Sequence, residues 1–325
     1  MDLSKQVEIK TYTGQRLSYF DLAQSIRCVD LISTPLEGDA ALDIELVDFG
    51  PLLIIKRVNH SAAIEDIQFG RHTLACQLPS ANADSIESFL SLPGGDRYNP
   101  FQMAGEQARW LMPNHAAYFH IQFDQRWLKQ VLGAQAMKDY QELCKAPSRR
   151  AYDENVFVLA SMAAQQAMDA AQDALKNNKV LTKSQLETLA SNILLPCIMS
   201  DIEEIKVSTR QKILSKAMDY IREHHQKPIR LAEIASTVST SVRNLQMIFK
   251  QELNMSPSKY IQQFRLHRFR HHLASSSSVT EAAYGSGFKH LGRLTEQYAK
   301  VFDRYPSEDL SSPSNMALDL GLQFD

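Results

Sequence analysis

Leu231-Ala232-Glu233-Ile234-Ala235, followed across a short turn by Ser241-Val242-Arg243-Asn244-Leu245-Gln246-Met247-Ile248-Phe249-Lys250, has a counterpart downstream. The counterpart is Val279-Thr280-Glu281-Ala282-Ala283, then Gly287-Phe288-Lys289-His290-Leu291-Gly292-Arg293-Leu294-Thr295-Glu296-Gln297-Tyr298. Each stretch reads as a short helix containing alanine, a tight turn, and a second helix with leucine at one position and an aromatic one helical turn later. Leu245 aligns with Leu294 and Phe249 with Tyr298 at an offset of about 49 residues, the mark of an internal repeat. The residue types suit a helix-turn-helix. Ala235 and Ala283 allow close approach of the first helix, and the leucine and aromatic anchor the second. Its opposite face is then free for a DNA major groove, which accommodates one α-helix. In the first unit that face carries Arg243, Asn244, Gln246 and Met247. Arginine can pair bidentately with guanine, and asparagine or glutamine with adenine. Ser241 suits the N-cap, where free backbone N–H groups can also meet a phosphate.

Charge points the same way. The net charge of −2 conceals a basic end: residues 205–325 hold 17 Lys+Arg against 11 Asp+Glu, and residues 1–204 hold 18 against 26. A basic terminal third on an acidic body suits a polyanion-binding module joined to something else. Around the two units the sequence is helical in pattern from 205 to 310. Ile213, Ala217, Tyr220 and Ile221 share one helix face, and that helix stops before Pro228. Arg265, Arg268 and Arg270 read by default as a solvated helix face.

The ordered set Leu231…Ile234-Ala235, Leu245…Phe249-Lys250, Ser256-Pro257…Tyr260, Arg265…Arg268, Gly287-Phe288 and Tyr305-Pro306-Ser307 resembles the AraC/XylS family of bacterial transcription regulators over roughly residues 210–310. The resemblance implies two helix-turn-helix units joined by a linker helix. It implies base contacts from Arg243, Gln246 and Met247 in the first unit, and from Leu291, Gly292, Arg293, Thr295 and Glu296 in the second. Ser241, Asn244, Lys250, Lys289 and His290 complete the expected DNA-binding set. Four positions depart from the family pattern. Ser239 stands at a turn position often held by glycine, and His290 replaces a usual Ser or Asp. Gly292 falls inside the expected second recognition helix, at a cost of roughly 0.5–1 kcal/mol relative to alanine. Glu296 occupies an often basic position; it would repel phosphate yet could accept from a cytosine amino group. Base reading is therefore expected mainly from the first unit, with Lys289 and Arg293 of the second meeting the backbone.

The first 204 residues change texture midway. Up to about 125, short β-rich runs such as Ile44–Val47, Leu52–Ile55 and Tyr118–Phe123 alternate with turn signals at Gly50-Pro51, Pro93-Gly94-Gly95-Asp96 and Asn99-Pro100. Helices are expected near 125–145, 153–177 and 182–204, with Asn177-Asn178 a stop and Thr182 an N-cap. The fold class is therefore α+β: a β-rich domain with a helical appendage over 1–204, an all-α DNA-binding domain over 205–310, and a polar tail over 311–325. The family resemblance implies that the β-rich part is a cupin-like barrel binding a small organic effector. It also implies that the helices dimerise the chain and that RNA polymerase is a partner of an activator. No residue of the effector site is assigned.

Other classes find little support in the residues. His60 and His72 are twelve apart without an HxH, so ordinary histidines are the simpler reading, and no metal ligand is assigned. Pro196-Cys197 resembles the Pro-Cys of some DNA-repair methyltransferases, but Ile198-Met199-Ser200 follows where His-Arg would be needed, so a buried thiol is expected. No GxSxG, HExxH, Walker or GxGxxG motif occurs, and neither a catalytic residue nor a cofactor is assigned. The four cysteines are far apart, the N-terminus MDLSKQVEIK lacks an apolar signal core, and no apolar run suits a bilayer. The expected location is the cytoplasm, without a membrane partner. Two further readings remain open: a regulator whose first domain binds protein instead of a small ligand, and an enzyme fused to a DNA-binding module.

Overall fold

The computed structural model describes residues 9–18, 28–36, 41–80, 101–112, 117–145, 150–151, 154–199, 203–204, 208–273, 275–289 and 291–311. The N-terminal part is built from strands β1 (Lys10–Ser18), β2 (Cys28–Pro35), β3 (Ala41–Asp48), β4 (Leu52–Asn59), β5 (Ala63–Phe69), β6 (Thr73–Pro79), β7 (Phe101–Gln102), β8 (Gln107–Met112) and β9 (Ala117–Asp124). Gly50-Pro51 makes the β3–β4 turn: Gly50 has φ +83°, and its N–H donates to Asp48 Oδ1 at 2.8 Å. The expected strands at 44–47, 52–55 and 118–123 lie in β3, β4 and β9. The turn signals at 93–96 and 99–100 fall outside the described residues.

The strands form two antiparallel sheets, a six-stranded one in the order β1-β3-β4-β9-β6-β7 and a three-stranded one in the order β2-β5-β8. Among the described residues, strand pairing stays within each sheet, so a closed cupin-like barrel is not what is seen. The two sheets instead share one core. Ile55 and Tyr118 of the larger sheet and Ile67, Phe69 and Trp110 of the smaller belong to a single buried cluster. Alternation along each strand sends every second side chain into it.

Two helices cover the larger sheet, α1 (Gln125–Lys145), kinked at Gly133, and α2 (Glu154–Lys176), and α3 (Lys183–Ile198) packs on both. Phe157, Ala160, Ala164, Ala167, Met168 and Ala171 recur at helical spacing on the buried face of α2. Asn178 closes α2's end in a left-handed conformation, and Thr182 caps α3 in a reciprocal box with Gln185. The helix expected over 182–204 ends earlier, at Ile198. Pro196 removes a backbone donor in its last turn, and Glu203–Glu204 forms β11, paired with β10 (Arg150–Ala151).

The C-terminal part is all helix: α4 (Thr209–His224), α5 (Leu231–Thr237), α6 (Val242–Leu253), α7 (Pro257–Leu273), α8 (Val279–Gly285), α9 (Leu294–Phe302) and α10 (Pro306–Ser311). It has two cores. The first gathers Ile221, Ile234, Leu245, Phe249, Tyr260 and Phe264; the second gathers Leu266, Phe269, Ala283, Leu294, Tyr298 and Phe302. Helix α7 runs through both. The first core also takes in Leu36 and Ile64 of the smaller sheet.

Beside that apolar contact lies a buried charge network. Asp66 on β5, 0% exposed, accepts from Arg109 Nε at 2.8 Å and from Arg222 Nη1 at 3.1 Å. Arg109 Nη1 also donates to Asp219 Oδ1 at 2.8 Å and to the Ser215 carbonyl at 3.2 Å. Arg222, Asp219 and Ser215 all lie on α4, so the strand and the helical C-terminal part are joined by opposite charges with most of their hydrogen bonds filled.

Candidate nucleic-acid interface

In the first unit, α5 and α6 are joined by a turn in which Thr240 N donates to Ala235 O at 2.8 Å. Ser239 adopts φ +54°, the left-handed region that favours glycine. Ser241 is the N-cap of α6 as expected; its Oγ accepts from Asn244 N at 3.1 Å. Leu245, Ile248 and Phe249 are buried, which turns Arg243, Gln246, Met247 and Lys250 outward on one face. Arg243 and Gln246 make no side-chain hydrogen bond or ion pair to any described residue. Asn244 differs from expectation: its Nδ2 donates to Thr240 Oγ1 at 2.7 Å, so it braces the turn. Lys250 Nζ donates to Asn254 Oδ1 at 2.7 Å at the helix end, where a cation also favours the dipole.

The second unit repeats the first up to its turn. Phe288 N donates to Ala283 O at 3.0 Å, as Thr240 does to Ala235, and Gly287 (φ +86°) stands where Ser239 stands. Beyond this the two diverge. Ala235 to Ala283 and Ser239 to Gly287 are 48 positions apart, but Leu245 to Leu294 and Phe249 to Tyr298 are 49 apart. One extra residue therefore lies between turn and buried leucine. The helix α9 begins only at Leu294, with Arg293 at its N-cap and no side-chain cap. Gly292 thus precedes the helix instead of lying inside it. No Ser, Thr, Asp or Asn between Phe288 and Gly292 is present to cap an earlier start, and Gly292 is a poor helix former. Leu291, expected at the DNA, is half-buried against the second core. Lys289, Gly292, Arg293, Thr295 and Glu296 are exposed, and His290 lies outside the described residues.

The linker arginines are not a solvated face. Arg265 donates from Nε to His225 O at 2.7 Å and from Nη2 to Lys227 O at 2.6 Å. Arg270 pairs with Asp309 at 3.3 Å and lies 4.6 Å over the Phe302 ring. Asp309 also accepts from Tyr298 Oη and pairs with Arg304. This binds Tyr305-Pro306-Ser307 and α10 back onto the second unit. Sequence reading missed these roles because the partners are backbone carbonyls and a distant carboxylate, which leave no periodic signal.

A second polar cluster lies between the two sheets. Arg57 pairs with Glu65 at 2.7 Å, lies 4.5 Å over the Tyr118 ring and meets Met112 Sδ at 2.9 Å. Burial, offset in part by Arg57, pushes the Glu65 carboxyl up. Burial and then Arg57 hold His120 neutral, its pKa lowered to about 3. Ser33 Oγ, Asn59 Nδ2, Glu65 Oε1, Gln77 Oε1 and His120 Nε2 are buried without a partner among the described residues. Each such atom costs about 1–3 kcal/mol unless something satisfies it.

The remaining candidates are ordinary. His60 pairs with Asp43 at 3.0 Å and His72 contacts Arg126 at 3.3 Å. Cys197 is buried in α3, and burial pushes its thiol up to about 12, far from the thiolate a nucleophile needs. No helix among the described residues is long and apolar enough to cross a membrane.

Residues 234–311 match the family model described as a helix-turn-helix domain. Over 102 residues the chain is 37% identical to a probable thc operon regulatory protein of Rhodococcus erythropolis, covering 30% of this chain and 31% of that one. It therefore spans less than a third of that relative's length. Over 137 residues it is 28% identical to the XylDLEGF operon transcriptional activator 2 of Pseudomonas putida, covering 41% of this chain and 82% of that protein. A solved transcriptional regulator from Chromobacterium violaceum, with an AraC-type DNA-binding domain, matches at 29% identity and a TM-score of 0.31, over 32% of this chain and 95% of that one. With its doubled helix-turn-helix and linking helix, the C-terminal third of this chain carries a helix-turn-helix domain similar to those of AraC/XylS-type transcription regulators.

Proposed function

We propose that this chain is a sequence-specific transcription activator that binds duplex DNA through residues 205–310 under control of a small effector held by residues 1–204. The observation that carries the DNA-binding half is the outward face of α6. Arg243, Gln246 and Met247 stand exposed on a capped helix, with Arg243 and Gln246 unengaged, as a base-reading helix in a major groove requires. Lys289 and Arg293 then suit backbone phosphates, and Glu296 makes base reading by the second unit the weaker contribution. Titration of the full chain against genomic DNA fragments tests this. A subset of fragments retained at moderate salt is expected; affinity for every fragment equal to that for bulk DNA overturns it.

The effector half is supported by the polar cluster between the sheets. A ligand with several hydrogen-bonding groups would satisfy Ser33, Asn59, Gln77 and Glu65 together. The strand β5 gives such a ligand a route outward. Adjacent residues on a strand face opposite sides, so Glu65 points to the cluster while Asp66 holds α4 through Arg222. Metabolite screening by thermal shift checks this half, since a ligand at 100 times its Kd adds about 2.7 kcal/mol. Stabilisation by a polar metabolite, lost in Gln77→Leu, is expected; stabilisation by protein partners alone would favour an interaction module. Dimerisation through α2 fits its exposed Leu159 and Met162. Contacts with RNA polymerase complete the activator reading.

A further inference from the structure

The two helix-turn-helix units have separate cores, and α7 is the element common to both. Tyr260, Ile261 and Phe264 at its start belong to the first core, and Leu266, Phe269 and Leu273 to the second. A single helix sets a direction but leaves a packed unit free to roll about its end. A second connection exists at the turn after α4. The His225 carbonyl accepts from Arg265 Nε at 2.7 Å, and the Lys227 carbonyl accepts from Arg265 Nη2 at 2.6 Å. From the other side Gly287, in the turn of the second unit, packs directly on the same peptide. A Cβ at Gly287 would collide with His225 O and stand 3.0 Å from Gln226 Cα. The His225 ring completes the junction, edge-on to Phe264 at 5.5 Å, with Nδ1 against Arg222 O at 2.7 Å.

We infer that Arg265 and Gly287 are positioning residues for DNA binding: by clamping the His225–Lys227 turn between them, they fix the distance and angle between the two DNA-facing surfaces. This rests on the reading that both units contact one duplex. Two sites held at a fixed separation bind far more tightly than either alone, by 10²–10⁴-fold, and lose that gain when geometry forbids joint engagement. A rigid junction therefore demands one spacing of half-sites, and a loosened one tolerates several. Arg265 approaches backbone carbonyls from a half-buried position, so its loss removes two charge-assisted hydrogen bonds without opening either core.

The test uses the full chain and a duplex that it selects from a randomised 40-base-pair pool (~four helical turns). Footprinting locates the half-sites, and versions are made with two base pairs inserted between them, which rotates one half-site by about 70°. The wild type should lose about 100-fold in affinity on insertion. Arg265→Gln should bind the selected duplex more weakly yet lose less than about tenfold on insertion, with affinity for an isolated half-site unchanged. Gly287→Ala should behave likewise, and if it unfolds, Arg265→Gln carries the result. An insertion penalty in Arg265→Gln as large as in the wild type overturns the clamp, as does a footprint confined to one half-site. A wild-type chain that selects no sequence overturns the DNA-binding reading itself, and the clamp with it.

Discussion

The two helix-turn-helix units share a turn hydrogen bond, a buried alanine, a buried leucine and a buried aromatic, yet only the first carries a full recognition helix. Its α6 is capped by Ser241 and spans Val242–Leu253; its counterpart α9 spans Leu294–Phe302 and starts without a side-chain cap. Core positions are repeated because both units solve the same packing problem. The outward surface is under no such constraint, and there the copies have diverged. A repeat in the core thus says little about equivalence at the ligand.

The largest expected effect exploits the separate cores. Tyr298→Ala should remove about 3–5 kcal/mol from the second unit. Hydrogen exchange should then rise across 266–311 while the amides of α6 stay protected; equal loosening of α6 would show that the units share one cooperative core. Next, Arg243→Ala should cost about 1–3 kcal/mol on a selected duplex and relax preference at one base position. Glu296→Ala, by contrast, should change affinity by less than about 1 kcal/mol and tighten binding, since a like charge near phosphate is removed. Competition binding compares the two, and a larger loss at Glu296 would reverse the assignment of roles.

Acid should separate the units too. Burial and Arg270 lower the His267 pKa to about 3, and its ring lies 4.9 Å from Phe302 in the second core. The unfolded chain, with a His pKa near 6.5, binds the proton that the folded one refuses, so stability falls as pH drops from about 6.5 towards 3. Between pH 7 and 5 the second unit should lose at most about 2 kcal/mol, a ceiling because the ring is partly exposed. Denaturant melts of His267→Gln should show a shallower pH dependence; an unchanged slope would place the titration elsewhere. The smallest effects concern the turns. Ser239→Gly relieves a left-handed serine, and Gly292→Ala favours an earlier start of α9, each by up to about 1 kcal/mol. Thermal melts that show Ser239→Gly destabilising would mean the serine side chain supports the turn.

Much of the DNA-binding part was legible because its signals are local. Ser241 as cap and the Leu245/Phe249 anchor each act within a few residues. Gly292, which the family resemblance puts inside the second recognition helix, precedes α9, because one extra residue between turn and buried leucine shifts the helix start. Leu291, given to DNA by the same resemblance, is half-buried against the second core. In the N-terminal part the alternation of Tyr118–Phe123 announced β9, but strand order depends on pairings distant in sequence, such as Leu31 with Ile67, and periodicity does not encode these. The Asp66–Arg109–Arg222 network was invisible for the same reason. Its members lie on β5, β8 and α4, and in sequence each is one more charged residue.

The unequal roles of the two units can be read most directly by chemical interference on the duplex selected by the full chain, comparing wild type with Arg243→Ala. Methylation of a guanine in the first half-site should block the wild type and lose that effect in the variant, while the second half-site should respond to phosphate ethylation and little to base methylation. Base interference of equal strength in both half-sites, unaltered by Arg243→Ala, would contradict a first unit that reads and a second that holds the register.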